Sequence, residues 1–370
     1  MKIIGPATPP RLVSKPNKSM TRCAQKFIRT LESVLAGLPL SLVLLALVAG
    51  MAHAAETFTN PIASSGYDPW MIRHGDVYFL VQSRRGREVC VGRAANPVDI
   101  GQSPWITVWT PPPGKPYSKE VWAPELHYLQ NKWFIYVAAD DGHNDHHRIY
   151  VLEGSSQNPQ DPFIFRGELK LPGDRWAIDG SLFTRSNRMF FIWSGWAGTN
   201  NVDQRIYLAE LQDPLTAKGD RVCISTPQYD WEKRDGPPSI NEGPEALMHG
   251  DHLFIIYSAG GSWADNYCLG QLTFTGGNPL RAESWVKKPV PVFSRTKDVY
   301  GPGHCCFVKS PDGTEDWIIY HAAKYSGAGW NRNLRAQKFT WTADGSPDFG
   351  TPVSAGMPLP LPSGIPTNRP

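Results

Sequence analysis

Five stretches of this chain set an ionisable side chain beside proline or glycine. They are Tyr67-Asp68-Pro69-Trp70, Trp122-Ala123-Pro124-Glu125, Ile178-Asp179-Gly180, Asn241-Glu242-Gly243-Pro244-Glu245 and Gly303-His304. Carboxyl groups are suited to acid–base work. A protonated one can give its proton to a leaving group, and an ionised one can activate water or attack carbon. Scattered over a surface, such acids would only pair with arginine or cap turns. Brought together they repel, and each raises the pKa of the others. Their chemistry therefore depends on whether the fold makes them converge.

Each of these residues opens a similar unit. A short apolar stretch follows it, then a turn, then a strongly β-prone run. The turns fall at His74-Gly75-Asp76, Gln130-Asn131, Ser186-Asn187, His249-Gly250-Asp251 and Pro311-Asp312-Gly313. The runs after them include Val77-Tyr78-Phe79-Leu80-Val81 and Met189-Phe190-Phe191-Ile192-Trp193. The units begin roughly 55–65 residues apart, which leaves room for about four short strands each. Beyond residue 54 almost no stretch has the periodicity of an amphipathic helix. The expected fold is all-β, a five-bladed β-propeller from residue 57 to about 355, with Pro358 to Pro370 as a loose tail. In such a fold the first strand of each blade runs beside the central channel, so the strand heads meet at one end of the axis. Those heads are Asp68, Glu125, Asp179, Glu242 or Glu245, and His304. Spacing alone does not choose between Glu242 and Glu245. Glu125 and Glu245 are also the two acids with the stronger claim to a structural role.

Composition narrows the setting. The chain has 14 Trp, 13 Tyr and 15 Phe among 370 residues. Tryptophan packs β cores, and its flat face also suits the apolar face of a sugar ring. Trp122 and Trp196 are candidate stacking platforms, with a core position as the alternative for each. Residues 1–54 read as a signal peptide and leader. They hold a basic stretch, the apolar run Val34 to Gly50, and the cleavage pattern Ala52-His53-Ala54. Residues 55–370 then form a single catalytic domain. The leader's basic residues outweigh the chain's net charge of +3, so the remainder is slightly acidic. No basic patch remains to suggest nucleic acid, and no membrane contact is expected after cleavage. Outside the leader there are five cysteines, an odd number, and no Cys-x-x-Cys spacing. The run His143-Asn144-Asp145-His146-His147 is expected to be a solvated loop or pocket rim.

A ring of carboxylates at an aromatic-lined pocket fits glycoside hydrolysis. One acid protonates the departing oxygen, a second activates water, and a third holds the donor's pKa up. With these motifs in view, the chain resembles glycoside hydrolase family 43 over nearly its whole length beyond the leader. The matching stretches are Tyr67-Asp68-Pro69-Trp70, Trp122-Ala123-Pro124-Glu125-Leu126-His127, Trp176-Ala177-Ile178-Asp179-Gly180, Asn241-Glu242-Gly243-Pro244 and Tyr300-Gly301-Pro302-Gly303-His304. The resemblance implies a five-bladed propeller and an inverting enzyme, with Asp68 as general base, Glu242 as general acid and Asp179 tuning and orienting that acid. Within the family the chain looks most similar to exo-acting 1,5-α-L-arabinofuranosidases, through stretches such as Trp193-Ser194-Gly195-Trp196 and Arg335-Ala336-Gln337-Lys338-Phe339. Arg335 is a candidate clamp on the substrate or on Asp179, and Asn241 a candidate substrate contact. No cofactor is required, although His304 is a candidate ligand for Ca2+ on the axis with water in the other positions. The implied partner is plant cell-wall polysaccharide, arabinan or arabinoxylan side chains, met by a secreted enzyme. A β-xylosidase, an endo-arabinanase and a non-catalytic carbohydrate-binding propeller are the alternatives. Cys305-Cys306 depart from the small polar residues usual after the Gly-Pro-Gly-His motif.

Overall fold

The computed structural model describes residues 56–365, and the expected leader with its cleavage site lies outside them. Strands form where β-branched and aromatic residues are concentrated between turn residues. Among the described residues the helical pieces are short 3-10 turns, the longest being Pro97–Gln102. Pairing is sequential and antiparallel. Trp70–His74 pairs with Val77–Arg84, which pairs with Glu88–Ala94, which pairs with Ile106–Trp109. The same meander of four strands recurs from Lys119, Ala177, Ser239 and Tyr300. A two-residue parallel bridge, Asp203 and Gln204 with Ser239 and Ile240, joins the third meander to the fourth.

The expected turns close the first hairpin of each meander. At Gln130-Asn131 and at Ser186-Asn187 both residues have positive φ, the turn geometry that matches strand twist. The closing pairs are Leu129 with Lys132 and Arg185 with Arg188. The core lies between neighbouring sheets. Ile178, Phe191 and Trp193 of the third meander pack on Tyr136 and Ile149 of the second. Met71 and Leu80 of the first pack on Cys306, Trp317 and Leu334 of the fifth. The first strands of the five meanders touch one another in sequence, and the fifth touches the first. They therefore form a closed ring.

Closure depends on the N-terminal segment joining the last sheet. Ala63 bridges Leu334 in antiparallel fashion. The Asn60 side chain copies a strand backbone: its Nδ2 donates to Ala336 O, and its Oδ1 accepts from Ala336 N–H, each at 2.9 Å. Thr57–Thr59 pairs with Pro358–Pro360. This corrects the expectation of a loose tail from Pro358. The proline-rich strand serves at an edge, where a missing N–H costs least.

Asn60→Ala leaves both backbone groups of Ala336 without partners in a buried place. It should lower the unfolding free energy by roughly 2–4 kcal/mol, read as an earlier midpoint in urea. An unchanged midpoint would show that closure does not depend on this side chain.

Candidate active site

One backbone feature recurs at the heads of the inner strands. Asp68 (φ 42°), Ala123 (φ 39°), Asp179 (φ 53°), Gly243 (φ 52°) and His304 (φ 41°) all adopt the left-handed region. The last four sit inside bulges, between Trp122 and Glu125, Ile178 and Ser181, Glu242 and Glu245, and around His304. Asp68 stands just ahead of the first pair of its strand. These are the equivalent positions of the repeat. A left-handed conformation at a residue other than glycine costs of order 1–3 kcal/mol. A bulge re-aims the side chains beside it, which is why bulges gather at active sites.

The bulges correct the expected alignment. Glu125 does not stand at a strand head; Ala123 does. Glu242 lies one residue before its bulge, and Glu245 two residues after it. Glu125, Ser181, Glu245 and Cys306 then share a position two residues past each bulge, one layer farther along the strands. In that layer Ser181 Oγ donates to Glu245 Oε2 at 3.3 Å, and His127 Nε2 lies 3.0 Å from Glu125 Oε2. Burial, then the adjoining Glu125, pushes the Glu245 carboxyl well up. These two acids thus face each other and not an arginine.

The head layer opens into a cavity of about 780 Å³ whose lining includes Asp68, Asp179, Glu242 and His304. The three acids expected to act are therefore together. His304 Nδ1 lies 3.2 Å from Asp68 Oδ1. The Asp68 N–H donates to His321 Nδ1 at 3.0 Å. The Gly243 N–H donates to Asp179 Oδ2 at 2.9 Å. Tyr267 donates from its hydroxyl to Glu242 Oε1 at 2.8 Å.

Burial is the largest influence on the acids. It raises Glu242 to about 7; the Asp68 charge adds to the rise, while Tyr267, the Arg332 charge and Ser262 oppose it. Burial also drives Asp179 well up, reinforced by Glu242 and then Asp68 and opposed by the Gly243 amide. Burial, Arg332 and His304 push His321 well down, so its imidazole is neutral. With Nδ1 accepting from Asp68, the His321 proton sits on Nε2, which has no hydrogen-bond partner among the described residues.

Trp122 lines the cavity as expected and stacks on His147 at 4.1 Å. His147 is itself buried beside Asp140, 3.0 Å away, and is a support; the rest of the histidine-rich run is exposed as expected, with Asn144 at the cavity. Three expected contacts do not reach the cavity. Trp196 is buried and stacks on Trp176 at 4.8 Å; Trp176 is the one that lines the wall. Asn241 is fully buried and donates to Glu232 Oε1 at 2.9 Å, in a network completed by Ser225 and Lys287. Arg335 donates to Asn333 Oδ1 and Val353 O, each at 3.0 Å. Arg332 lines the cavity instead. The two arginines are an odd number of residues apart in strand Arg332–Trp341, so they point to opposite faces.

Sequence reasoning missed Arg332, His321, Tyr267, Trp263 and Trp330. Strand parity would have separated Arg332 from Arg335. The other four carry no local pattern. Cys90, Cys223, Cys268, Cys305 and Cys306 are all free. Cys305 and Cys306 pack into different core clusters, and burial pushes both thiols up. The described residues hold no group of three or more His, Cys, Asp or Glu able to bind a metal ion.

The sequence profile of Glycosyl hydrolases family 43 matches residues 58–347. The chain belongs to this family. Relatives from several organisms are similar over most of the chain. It is 33% identical over 319 residues to the extracellular exo-α-(1→5)-L-arabinofuranosidase of Streptomyces avermitilis, covering 83% of this chain and 66% of that one. This family 43 chain thus spans just under two thirds of that relative. It is 32% identical to the enzyme of the same name from Streptomyces chartreusis, over 75% of this chain and 87% of the other. The crystal structure of an α-L-arabinofuranosidase from Lactobacillus brevis superposes with a TM-score of 0.77 at 31% identity, covering 81% of this chain and 98% of that one.

A glutamic acid that stays protonated to about pH 7 can donate a proton where an ordinary one cannot. Glycosidase kcat/KM should therefore fall as pH rises through about 7. A profile that stays level well past that pH would mean that Glu242 is not the group whose protonation matters.

Proposed function

We propose that this protein is a secreted, inverting exo-α-L-arabinofuranosidase that releases terminal arabinofuranose from 1,5-linked arabinan and arabino-oligosaccharides. The observation that carries the reading is similarity over most of the chain to enzymes of that name, joined to a cavity where Asp68, Asp179 and Glu242 converge. Arabinoxylan side chains are a second substrate of the same chemistry. The five meanders are the blades of a five-bladed propeller, a reading supported by the closed ring of first strands. Secretion is supported by the leader pattern and by relatives named as extracellular. No helix among the described residues is long and apolar enough to cross a membrane.

The mechanism is single displacement. Asp68 takes a proton from water on one face of the sugar, and the water oxygen bonds to the anomeric carbon. The bond to the leaving oxygen breaks, and Glu242 gives that oxygen its proton. Asp179 orients the acid through the Gly243 amide, the residue next to Glu242. In the low dielectric of the cavity its charge, when present, also favours the protonated form of Glu242. Trp122, and Trp176 in place of Trp196, offer flat faces to the sugar. Ca2+ takes six to eight oxygen ligands, so a cation at His304 would be carried mainly by water. No step here is routed through one.

The test is product analysis on linear 1,5-arabinan, arabinoxylan and an aryl β-xyloside. Free arabinose from linear arabinan is the expected outcome. Short oligomers would make it an endo-arabinanase, cleavage of the xyloside alone a β-xylosidase, and no turnover a carbohydrate-binding propeller. Glu242→Ala should reduce release by roughly 100- to 10,000-fold. Glu245→Gln should leave most of the activity and mainly lower stability; the reverse pattern would exchange the two roles.

A further inference from the structure

Glu242 has two oxygens, and only one can carry the proton toward the substrate. Its Oε1 is engaged by the Tyr267 hydroxyl at 2.8 Å, and Tyr267 is fully buried. A phenol both accepts and donates, so the direction of this hydrogen bond depends on what else the oxygen meets. Here that is the Ser258 hydroxyl, which lowers the Tyr267 pKa, the direction that a donor to the phenol oxygen gives. Ser258 in turn accepts from the His304 backbone N–H at 2.8 Å. The amide can only donate, so it takes a lone pair of Ser258 and leaves the serine proton for Tyr267. Tyr267 then has its own proton for Glu242. Every donor in the series points toward the acid, and such chains polarise one another cooperatively.

The backbone is shaped to admit this ring. A Cβ at Gly303 would stand 2.3 Å from ring atoms of Tyr267, so no other residue fits there unless the ring moves. The Arg332 guanidinium lies 5.2 Å from the ring centroid. His304 also serves the other side of the reaction, through its Nδ1 beside Asp68. One residue thus holds the base by its side chain and anchors the support of the acid by its amide.

We propose that Tyr267, backed by Ser258 and the His304 amide, is the positioning residue of the acid: it occupies Glu242 Oε1 so that the transferable proton resides on Oε2. The inference rests on Glu242 being the acid. In the step, the O–H bond at Oε2 breaks, the proton goes to the leaving oxygen, and the electron pair stays on the carboxylate. Tyr267 keeps its proton and stabilises the new charge. Burial and the Glu242 charge hold its phenol protonated well beyond the ordinary range.

Two consequences separate this from mere packing. Donation to the carboxylate lowers the pKa of Glu242, so Tyr267→Phe should raise it. The alkaline limb of kcat/KM should move up by about half to one pH unit. The loss should also depend on the leaving group. Arabino-oligosaccharides depart as poor leaving groups and need a well-aimed acid, so kcat should fall on the order of 10- to 100-fold. An aryl arabinofuranoside with an acidic phenol needs little protonation and should lose no more than about threefold. Ser258→Ala should shift both readouts in the same directions by less, and it serves if Tyr267→Phe does not fold. An unmoved alkaline limb, or equal losses on both substrates, would overturn the proposal. Glu242→Ala run in parallel separates the two levels. If it stays active on oligosaccharides, the acid assignment itself fails. If it is inactive there while the tyrosine variant shows neither effect, only the role of Tyr267 fails.

Discussion

A left-handed residue at the head of each inner strand is the constraint on which the rest of the site depends. A regular strand would send neighbouring side chains to alternate faces and keep them there. The left-handed residue breaks that alternation in each meander, at Asp68, Ala123, Asp179, Gly243 and His304, the last four within bulges. Where that residue is itself acidic or a histidine, its side chain enters the cavity. Where it is glycine, the residue before it does so, and Glu242 takes that place. The glycine has a second use, because its freed N–H reaches Asp179. The acid is thus bound to its neighbour through the backbone that aims it.

Electrostatics follow from that geometry. Two carboxyls buried together cannot both ionise at low cost, so a proton is retained in the pair at neutral pH. The opposing influences on Glu242, burial and Asp68 against Tyr267 and Arg332, keep it near neutrality and not far above. An acid that is too weak would donate as poorly as one already ionised. Glu245, in the deeper layer, is raised by burial and by Glu125 instead, and neither it nor Glu125 lines the cavity.

Much of this was legible in the sequence, and the limits have physical causes. The hairpin turns and the five units were readable because strand periodicity and left-handed turn residues leave local marks. Asp68 and Asp179 were placed by the repeat alone. Glu242 and Glu245 stayed ambiguous because a bulge inserts a residue without a signature that counting can detect. Trp196 and Asn241 were misplaced for a different reason: nothing local distinguishes a tryptophan facing a cavity from one stacked behind it, or an amide at a wall from one in a buried network. Tyr267 and His321 were invisible. His321 lies on the fifth meander and meets Asp68 of the first only through closure of the ring, and Tyr267 stands just before a strand two removed from that of Glu242 in the same meander. The one faint trace of Tyr267 is Gly303, a glycine whose need is apparent only once the ring beside it is seen.

Single displacement by Asp68 and Glu242 has one consequence that no relative's name can supply. Proton NMR recorded within the first minutes of hydrolysis of an aryl α-L-arabinofuranoside reports the anomer before mutarotation blurs it. The β anomer of arabinofuranose should appear first. The α anomer appearing first would mean a covalent intermediate and a second displacement, and would contradict the roles given to Asp68 and Glu242.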